Sequence, residues 1–388
     1  MTACIVGWAH MPFGKIEGSD IESLMTSVVN GAINDAGIEA EDVSSIHVGA
    51  FNRGFQEQDF VSSLVLQAND ALRFKPAIRV ENACATGSAA IHTALDRVNS
   101  GRSRFALVVG AEKMTDTPGP ELADALLSAC YRKEESDVKG GFAGIFAQIA
   151  QRYFQKYGDQ SAALARIAAK NHKNGVVNPY AQMRKDLGFE FCNEISDKNP
   201  YVAPPLRRTD CSLVSDGAAA VIITDMETAL TMDKAITFRA AAHVSDFLPI
   251  SKREIIDFDG CREAWRQALD QSRLTLDDLS LVETHDCFTI AELIEYEAMG
   301  LAAPGEGHRA IEEGWTEKDG RLPVNPSGGL KAKGHPIGAT GVSMHAMASM
   351  QLMGEAGDMQ VKDVKLAGIF NMGGAAVANY VSVLERLR

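Results

Sequence analysis

The segment VENACATGSAAIHTALDRV, residues 80 to 98, places a cysteine at the start of a helix. A strand ending at Val80 leads into a turn, then Cys84, then a run of small residues that opens the helix. Unpaired backbone N–H groups and the helix dipole favour a thiolate at such a position. Small side chains also let the helix cross a packed interior. The segment predicts a nucleophile at Cys84, with a purely structural buried cysteine as the alternative.

Composition narrows the class of protein. The chain has 388 residues, enough for two domains or two similar halves, and 46% of them are hydrophobic, as expected of a soluble globular protein. No apolar run is long enough for a membrane span, and the N-terminal stretch lacks the basic region of a signal peptide. The net charge of −13 argues against nucleic acid as a partner.

The seven cysteines are scattered, odd in number and form no CxxC pair. That distribution is typical of a reduced protein and not of a disulfide framework or a structural zinc site. We therefore expect a cytoplasmic protein.

Short apolar runs alternate with longer amphipathic stretches, which predicts an α/β fold. The expected strands cover residues 4–7, 45–50, 77–80, 104–110, 218–224, 235–242, 279–284 and 366–370. The expected helices cover residues 20–35, 88–100, 262–271, 289–299 and 341–353.

The chain also repeats itself. DAGIEAEDVSSIHVG (35–49) and DQSRLTLDDLSLVETHD (270–286) share a helix end, an acidic turn and a strand, and Ala-Thr-Gly opens a helix at residues 85–87 and again at 339–341. We predict two similar α/β halves, residues 1–114 with 207–234 and residues 235–388. Residues 115–206 form an inserted loop domain of small helices and polar loops, of the kind that often covers a site.

The stretch ETHDCF, residues 283 to 288, places His285 two residues before Cys287. Alternate residues of a strand face the same side, so the pair would share one pocket if the preceding strand continues that far. The pair could instead bind zinc, but zinc needs three or four ligands and no further His/Cys cluster follows at ligand spacing. We therefore predict no metal.

Two further segments complete the predicted site. In NPSGGLKAKGHPIGATG (325–341) the glycine spacing does not match a phosphate-binding loop, and His335 on a rigid loop is a candidate base for Cys84. In GIFNMGGAAVANYVSVL (368–384) the N–H groups of a turn at Gly373 and Gly374 could stabilise an oxyanion. A plain hairpin turn is an equally good reading of the latter segment.

Together these segments resemble the thiolase superfamily over essentially the whole chain. ACATG (83–87), SDGAAA (215–220), GHPIGATG (334–341) and the final glycine turn occur in thiolase order. The resemblance implies a five-layered αβαβα thiolase fold of two similar halves, with an inserted loop domain that helps to bind coenzyme A.

The chain departs from many thiolases at two places. It has NMG at 371–373 where they carry a second catalytic cysteine in a C-x-G turn, and HDCF at 285–288 where they carry N-E-A-F. In this respect it resembles the thiolases related to sterol carrier protein 2, in which HDCF supplies the acid/base cysteine. The sterol carrier domain itself is not expected here.

The resemblance implies a role for each residue. Cys84 attacks the thioester of an acyl-CoA and carries the acyl group, and His335 takes its proton and later helps to hold an enolate oxygen. Cys287 moves the α-proton of the second substrate, and His285 donates a hydrogen bond to the enolate. The backbone N–H groups of Cys84 and Gly373 hold the acyl-enzyme oxyanion.

Ligands and partners are also implied. Coenzyme A thioesters are expected as substrates, with no separate cofactor, and the basic residues Arg207, Arg208, Lys331 and Lys333 are candidate contacts for coenzyme A phosphates. A homodimer is expected. A β-ketoacyl or HMG-CoA synthase is disfavoured, because decarboxylative condensation needs no second thiol. The remaining alternative is a thiolase-like scaffold or aldolase component that works with a small OB-fold partner.

Overall fold

The computed structural model of the chain describes residues 3–388. Its strands are β1 (Ala3–His10), β2 (Val43–Gly49), β3 (Ala77–Val80), β4 (Phe105–Glu112), β5 (Tyr201–Ala203), β6 (Leu206–Arg207), β7 (Gly217–Asp225), β8 (Ile236–Ser245), β9 (Leu281–Glu283), β10 (Leu366–Gly373) and β11 (Ala378–Arg386). Its α-helices are α1 (Ile21–Asp35), α2 (Val61–Leu64), α3 (Thr86–Asn99), α4 (Gly119–Leu126), α5 (Arg132–Glu135), α6 (Gly141–Tyr157), α7 (Ser161–Val176), α8 (Gly188–Asn193), α9 (Met226–Ala229), α10 (Asp259–Ser272), α11 (Thr289–Ala298), α12 (Gly307–Glu312), α13 (Gly329–Lys333) and α14 (Ile337–Met353).

Nine strands form one hydrogen-bonded sheet in the order β3-β2-β4-β7-β1-β8-β11-β10-β9. The first five come from the N-terminal part of the chain and the last four from the C-terminal part. Within residues 3–388, the two groups of strands are joined only where β1 pairs with β8, through Cys4 and Ile5. Strands such as β4 are buried along their whole length, as expected for a sheet covered by helices on both faces.

Helices complete the layers. Helix α1 packs on one face of β1, β4 and β7, whereas α3 and α14 pack together against the other face. Helix α14 also contacts β10 and β11, and α10 packs on β8 and β11. The α3–α14 pair therefore lies between the two strand groups, and the predicted five-layered α/β/α/β/α arrangement is confirmed.

The sequence repeat has a structural counterpart. After α1, Asp42 accepts a hydrogen bond from the backbone N–H of Glu39 at 3.0 Å, in a short 3₁₀ turn that leads into β2. After α10, Asp278 accepts one from Thr275 at 2.7 Å in the same kind of turn before β9. The acidic residue thus satisfies a free N–H at the equivalent point of both segments.

The two Ala-Thr-Gly segments are in contact with each other where α3 and α14 cross. A Cβ on Gly87 would lie 2.7 Å from the backbone nitrogen of Gly341, and a Cβ on Gly341 would lie 2.1 Å from that of Ser88. No side chain fits at either position, so glycine is required for the helices to approach this closely. The crossing brings the N-terminus of α3, which follows Cys84, next to that of α14, which follows His335.

Residues 115–206, predicted as an insert of small helices and loops, contain α4 to α8 and the small sheet β5-β6. Two of these helices are longer than expected, since α6 has 17 residues and α7 has 16. Both pack against α11, the helix that follows the HDCF stretch. Across the described residues, 3–388, no helix has the length and apolarity needed to cross a membrane.

Candidate active site

Cys84 lies in a tight turn between β3 and α3. Ala83, just before it, adopts a left-handed conformation with φ of 49°, which costs a non-glycine residue about 1–3 kcal/mol. Thr86 holds this turn: its hydroxyl donates to the carbonyl of Ala83 at 2.6 Å and accepts from the N–H of Asn82 at 2.8 Å. The thiol is thereby fixed at the helix start, where it is only 5% exposed.

The predicted site residues are brought together. Cys84, Cys287 and His335 line one cavity. The Cys84 sulphur and one ring nitrogen each of His285 and His335 lie within 4.8 Å of one another, and the two imidazole rings meet edge to face at 5.2 Å. Three loops from distant parts of the sequence supply these residues.

His285 and Cys287 were expected to share one face of a strand, and this expectation was wrong. Strand β9 ends at Glu283, and both residues lie on the loop before α11. Side chains fix this loop instead. Asn325 accepts the N–H of Thr284 at 2.8 Å, and the carboxylate of Asp286 accepts the N–H groups of Leu330 at 2.6 Å and Lys331 at 3.1 Å. The loop is therefore attached to α13, the helix that leads to His335.

Asn371 determines which nitrogen of His285 carries hydrogen. The Nδ2 of Asn371 lies 3.1 Å from the carbonyl oxygen of Cys84, which can only accept, so the amide must present its NH₂ group there. The same NH₂ group lies 2.8 Å from Nδ1 of His285, which must then accept as well. The hydrogen of a neutral His285 therefore sits on Nε2, which has no partner among the described residues.

His335 has the opposite arrangement. The Thr340 hydroxyl donates to the carbonyl of Pro336 at 3.0 Å and therefore accepts from Nδ1 of His335 at 2.7 Å. This leaves a lone pair on Nε2 of His335, for which the described residues provide no hydrogen-bond partner. The site thus combines a nitrogen lone pair at His335 with an N–H group at His285.

The N–H of Gly373 as a donor to an oxyanion stays a prediction. Gly373 is the last residue of β10, and its carbonyl accepts from the N–H of Val377. The backbone N–H groups of Gly374 and of Cys84 itself act on the Cys84 thiol and lower its pKa. Gly373 serves a packing role, because a Cβ there would lie 2.3 Å from the carbonyl oxygen of Asn82.

Burial keeps the resting site uncharged. It raises the pKa of Cys84 to about 12, an effect that the N–H of Gly374 only partly offsets. It raises the pKa of Cys287 well above its usual value, with Cys84 as a smaller contributor, and it lowers the pKa of His335 to about 3, helped by Lys333. Both thiols are therefore protonated and His335 is neutral at pH 7 before a substrate arrives.

The cluster of Cys84, His285 and His335 has three potential metal ligands, a grouping that sequence spacing did not reveal. A metal needs a lone pair on each ligand atom. Asn371 holds the hydrogen of His285 on Nε2, so that nitrogen presents an N–H group. The arrangement suits a developing oxyanion better than a cation.

Three of the four residues proposed for coenzyme A phosphates are buried. The guanidinium of Arg207 is bound to the carboxylate of Asp210 at 2.8 Å, and Lys331 and Lys333 are 2% and 0% exposed. Their side chains do not face solvent, where a phosphate would lie, so this part of the prediction is corrected. Only Arg208 is exposed.

Several supporting residues were not found from the sequence. Glu112, at the end of β4, accepts the N–H groups of Phe51, Asn52 and Gly338 at 2.8 to 3.0 Å, and burial raises its pKa to about 7. It thus joins the β2 end to the start of α14. A carboxylate or amide at the end of an apolar strand was the available signal for Glu112 and for Asn371.

Comparisons with known proteins agree with this geometry. The model "Thiolase, N-terminal domain" matches residues 3–195, and "Thiolase C-terminal domain-like" matches residues 242–386. An acetyl-CoA acetyltransferase of Methanothermobacter thermautotrophicus is 37% identical over 98% of this chain and 99% of its own length. Sterol carrier protein 2 of Homo sapiens is 35% identical over 78% of this chain and 57% of its own.

Solved structures show the same fold. The Ltp2-ChsH2(DUF35) aldolase has a TM-score of 0.82 at 23% identity, over 100% of this chain and 98% of the other. Acat5 thiolase from Ascaris suum, in complex with coenzyme A, has a TM-score of 0.73 at 15% identity, over 100% of both chains. With its fold, its matched domains and these relatives, the chain belongs to the thiolase family of acyltransferase enzymes.

Proposed function

We propose that this protein is a thiolase that makes or cleaves 3-ketoacyl-CoA through an acyl group carried on Cys84, with Cys287 as the acid/base. The observation that supports the proposal best is that both thiols and His335 line a single cavity. A thiol that carries the acyl group and a second thiol that moves a proton are the two groups that the reaction requires.

In the first half-reaction, Nε2 of His335 takes the Cys84 proton as the sulphur attacks the acyl-CoA carbonyl. The N–H groups of Cys84 and Gly373 stabilise the oxyanion. The C–S bond to coenzyme A then breaks, and Cys287 gives its proton to the leaving thiolate. The raised pKa of Cys287 suits this donation. The step leaves an acyl group on Cys84, a thiolate at Cys287 and an imidazolium at His335.

In the second half-reaction, the Cys287 thiolate removes the α-proton of a second acyl-CoA. The enolate oxygen accepts hydrogen bonds from Nε2–H of His285 and from the His335 imidazolium. The enolate carbon attacks the acyl group, the Cys84 sulphur leaves, and His335 returns its proton to that sulphur. Every group is restored, and thiolytic cleavage follows the same steps in reverse.

The test compares Cys287→Ala with Cys261→Ala in steady-state cleavage of a 3-ketoacyl-CoA by coenzyme A. Cys261 is an equally buried thiol on α10, outside the site. Loss of a positioned acid/base predicts a kcat about 10²–10⁴ lower for Cys287→Ala, with the parent rate retained by Cys261→Ala. Parent-like turnover by Cys287→Ala would remove Cys287 from the mechanism.

A second candidate function is a coenzyme A ester-binding scaffold or aldolase component with a small OB-fold partner. The fold similarity to the Ltp2-ChsH2(DUF35) aldolase favours keeping it. Binding of acyl-CoA with no acyl transfer to Cys84 would support this candidate over a thiolase.

We also propose that the protein is a cytoplasmic homodimer that uses coenzyme A thioesters and no further cofactor, with Arg208 as the remaining candidate for a phosphate contact. Strand β3 is at one edge of the large sheet, and Ile78 on it is 47% exposed. Phe60 and Phe74 nearby in sequence are 71% and 87% exposed. An edge strand beside exposed apolar side chains is a suitable surface for a second copy. Light scattering of the parent and of Ile78→Asp tests this, since the variant should be monomeric.

A further inference from the structure

The cavity at Cys84 is almost entirely apolar. It has a volume of about 250 Å³, and no Asp, Glu, Lys or Arg side chain is among the described residues that line it. Apart from the catalytic groups, Cys211 and Ser212, its walls are aliphatic or aromatic. The apolar side chains that line it include Met114, Leu126, Phe142, Val202, Phe288 and Ile337.

The aromatic part of the wall is packed against further rings. The ring of Phe288 stacks on that of Phe146 at 4.4 Å and lies 6.2 Å from that of Phe142. Val202 and Val214, which also line the cavity, are 47% and 40% exposed. Large apolar side chains left in contact with water around a cavity mouth indicate that the natural ligand is itself apolar.

The volume of the cavity limits the size of the group that it can hold. A water or methylene-sized group takes up roughly 30 Å³, so the cavity holds about eight such groups. The thioester end of the coenzyme A arm must reach Cys84 and takes part of this space. An acetyl group would leave much of the apolar wall unfilled, whereas a chain of about four to six carbons would fill it.

We infer that the acyl group transferred to Cys84 is an uncharged aliphatic chain of about four to six carbons, and that acyl groups ending in a carboxylate are rejected. This inference rests on the proposed function and specifies its substrate class. Each methylene that enters the cavity leaves water for an apolar surface, which favours binding and acylation. A carboxylate would lose its hydration against walls that offer it no charged partner.

The experiment measures second-order rate constants for acylation of Cys84 by mass spectrometry, using acetyl-, butanoyl-, hexanoyl-, octanoyl- and glutaryl-CoA. We expect a rise of about fourfold per methylene, equivalent to about 0.8 kcal/mol for each buried CH₂, until the cavity is full at about six carbons. Glutaryl-CoA should react at least tenfold more slowly than butanoyl-CoA.

Two variants on α4 test the wall directly. Leu126→Trp reduces the cavity and should lower the ratio of hexanoyl to acetyl rate constants at least tenfold. Ala123→Trp, on the exposed side of the same helix, adds the same ring outside the cavity and should leave that ratio unchanged.

The outcomes separate this inference from the proposed function. Equal rate constants for all five esters, or a maximum at acetyl-CoA, would overturn the inference while leaving the thiolase mechanism in place. Acylation of Cys84 by none of the esters would overturn the proposed function and the inference with it.

Discussion

Replacing Asn371 with leucine removes the group that orients His285. Leucine has nearly the same size and cannot hydrogen-bond, so the substitution deletes the contacts at 3.1 Å to the Cys84 carbonyl and at 2.8 Å to Nδ1 of His285. Asn371 is fully buried, so its NH₂ group and both of its acceptors are shielded from bulk solvent. The imidazole is then free to turn or to move its hydrogen to Nδ1.

Two effects of different size follow. An unpaired buried carbonyl costs about 1–3 kcal/mol, so the free energy of unfolding should fall by roughly that amount. Loss of one oriented donor to an oxyanion lowers a rate by about 10²–10³. In the proposed mechanism His285 donates to the enolate, so condensation should fall by this factor. Acylation of Cys84, which in that mechanism uses His335 and the N–H groups of Cys84 and Gly373, should fall by less than about tenfold.

The assay pairs urea unfolding with separate single-turnover measurements of acylation and condensation. Asn199→Leu is the matched control, since Asn199 is also fully buried and its Nδ2 donates to the carbonyls of Phe191 and Cys192, which do not line the cavity. It should lose similar stability and retain both rates per folded molecule. Equal losses in acylation and condensation for Asn371→Leu, or none in either, would refute the reasoning about the His285 hydrogen.

Three other predictions concern the crossing, the base and the buried carboxylate. Gly87→Ala places a methyl group 2.7 Å from the backbone of Gly341 and should prevent accumulation of folded protein or lower its unfolding temperature sharply, which circular dichroism will show. Because the pKa of His335 is lowered to about 3, its imidazole stays neutral from pH 8 down to pH 5; the acylation rate should show no decline near pH 6.5, and one there would contradict the assignment. Over the same range the unfolded chain binds a proton below pH 6.5 that folded His335 does not, so the free energy of unfolding measured in urea should fall as pH falls. Glu112→Gln replaces a carboxylate that accepts three backbone N–H groups, including that of Gly338, and should lower the free energy of unfolding by about 1–3 kcal/mol; an unchanged urea midpoint would show that the contacts contribute nothing.

The fold was accessible from the sequence because its signals are local. Alternating apolar runs predicted the strands and helices, and small residues after Cys84 identified the helix that begins there. The repeated Ala-Thr-Gly segments indicated related helices, although not that Gly87 and Gly341 touch. That contact depends on the packing of two layers, which sequence spacing does not express.

The sequence predicted several residues that the structure brings together, but not the contacts that position them. His285 and Cys287 do lie in the same site. They lie there because Asn325 and Asp286 hold their loop in place, and not because they alternate on a strand. Asn371 hydrogen-bonds to His285, 86 positions away in the sequence, and to Cys84, 287 positions away, so no local pattern could reveal these contacts. The prediction that Arg207 binds a coenzyme A phosphate failed because its side chain is buried. The sequence near Arg207 gives no indication that its charge is already paired with Asp210.

The central claim is that Cys84 carries the acyl group while Cys287 moves the proton. The most direct measurement incubates the parent protein and Cys287→Ala with acetyl-CoA and with hexanoyl-CoA, quenches each mixture, and locates acyl groups by peptide mass spectrometry. The account predicts an acyl group on Cys84 in both proteins, with 3-ketoacyl-CoA formed only by the parent. An acyl group on Cys287, or none on Cys84 in either protein, would contradict it.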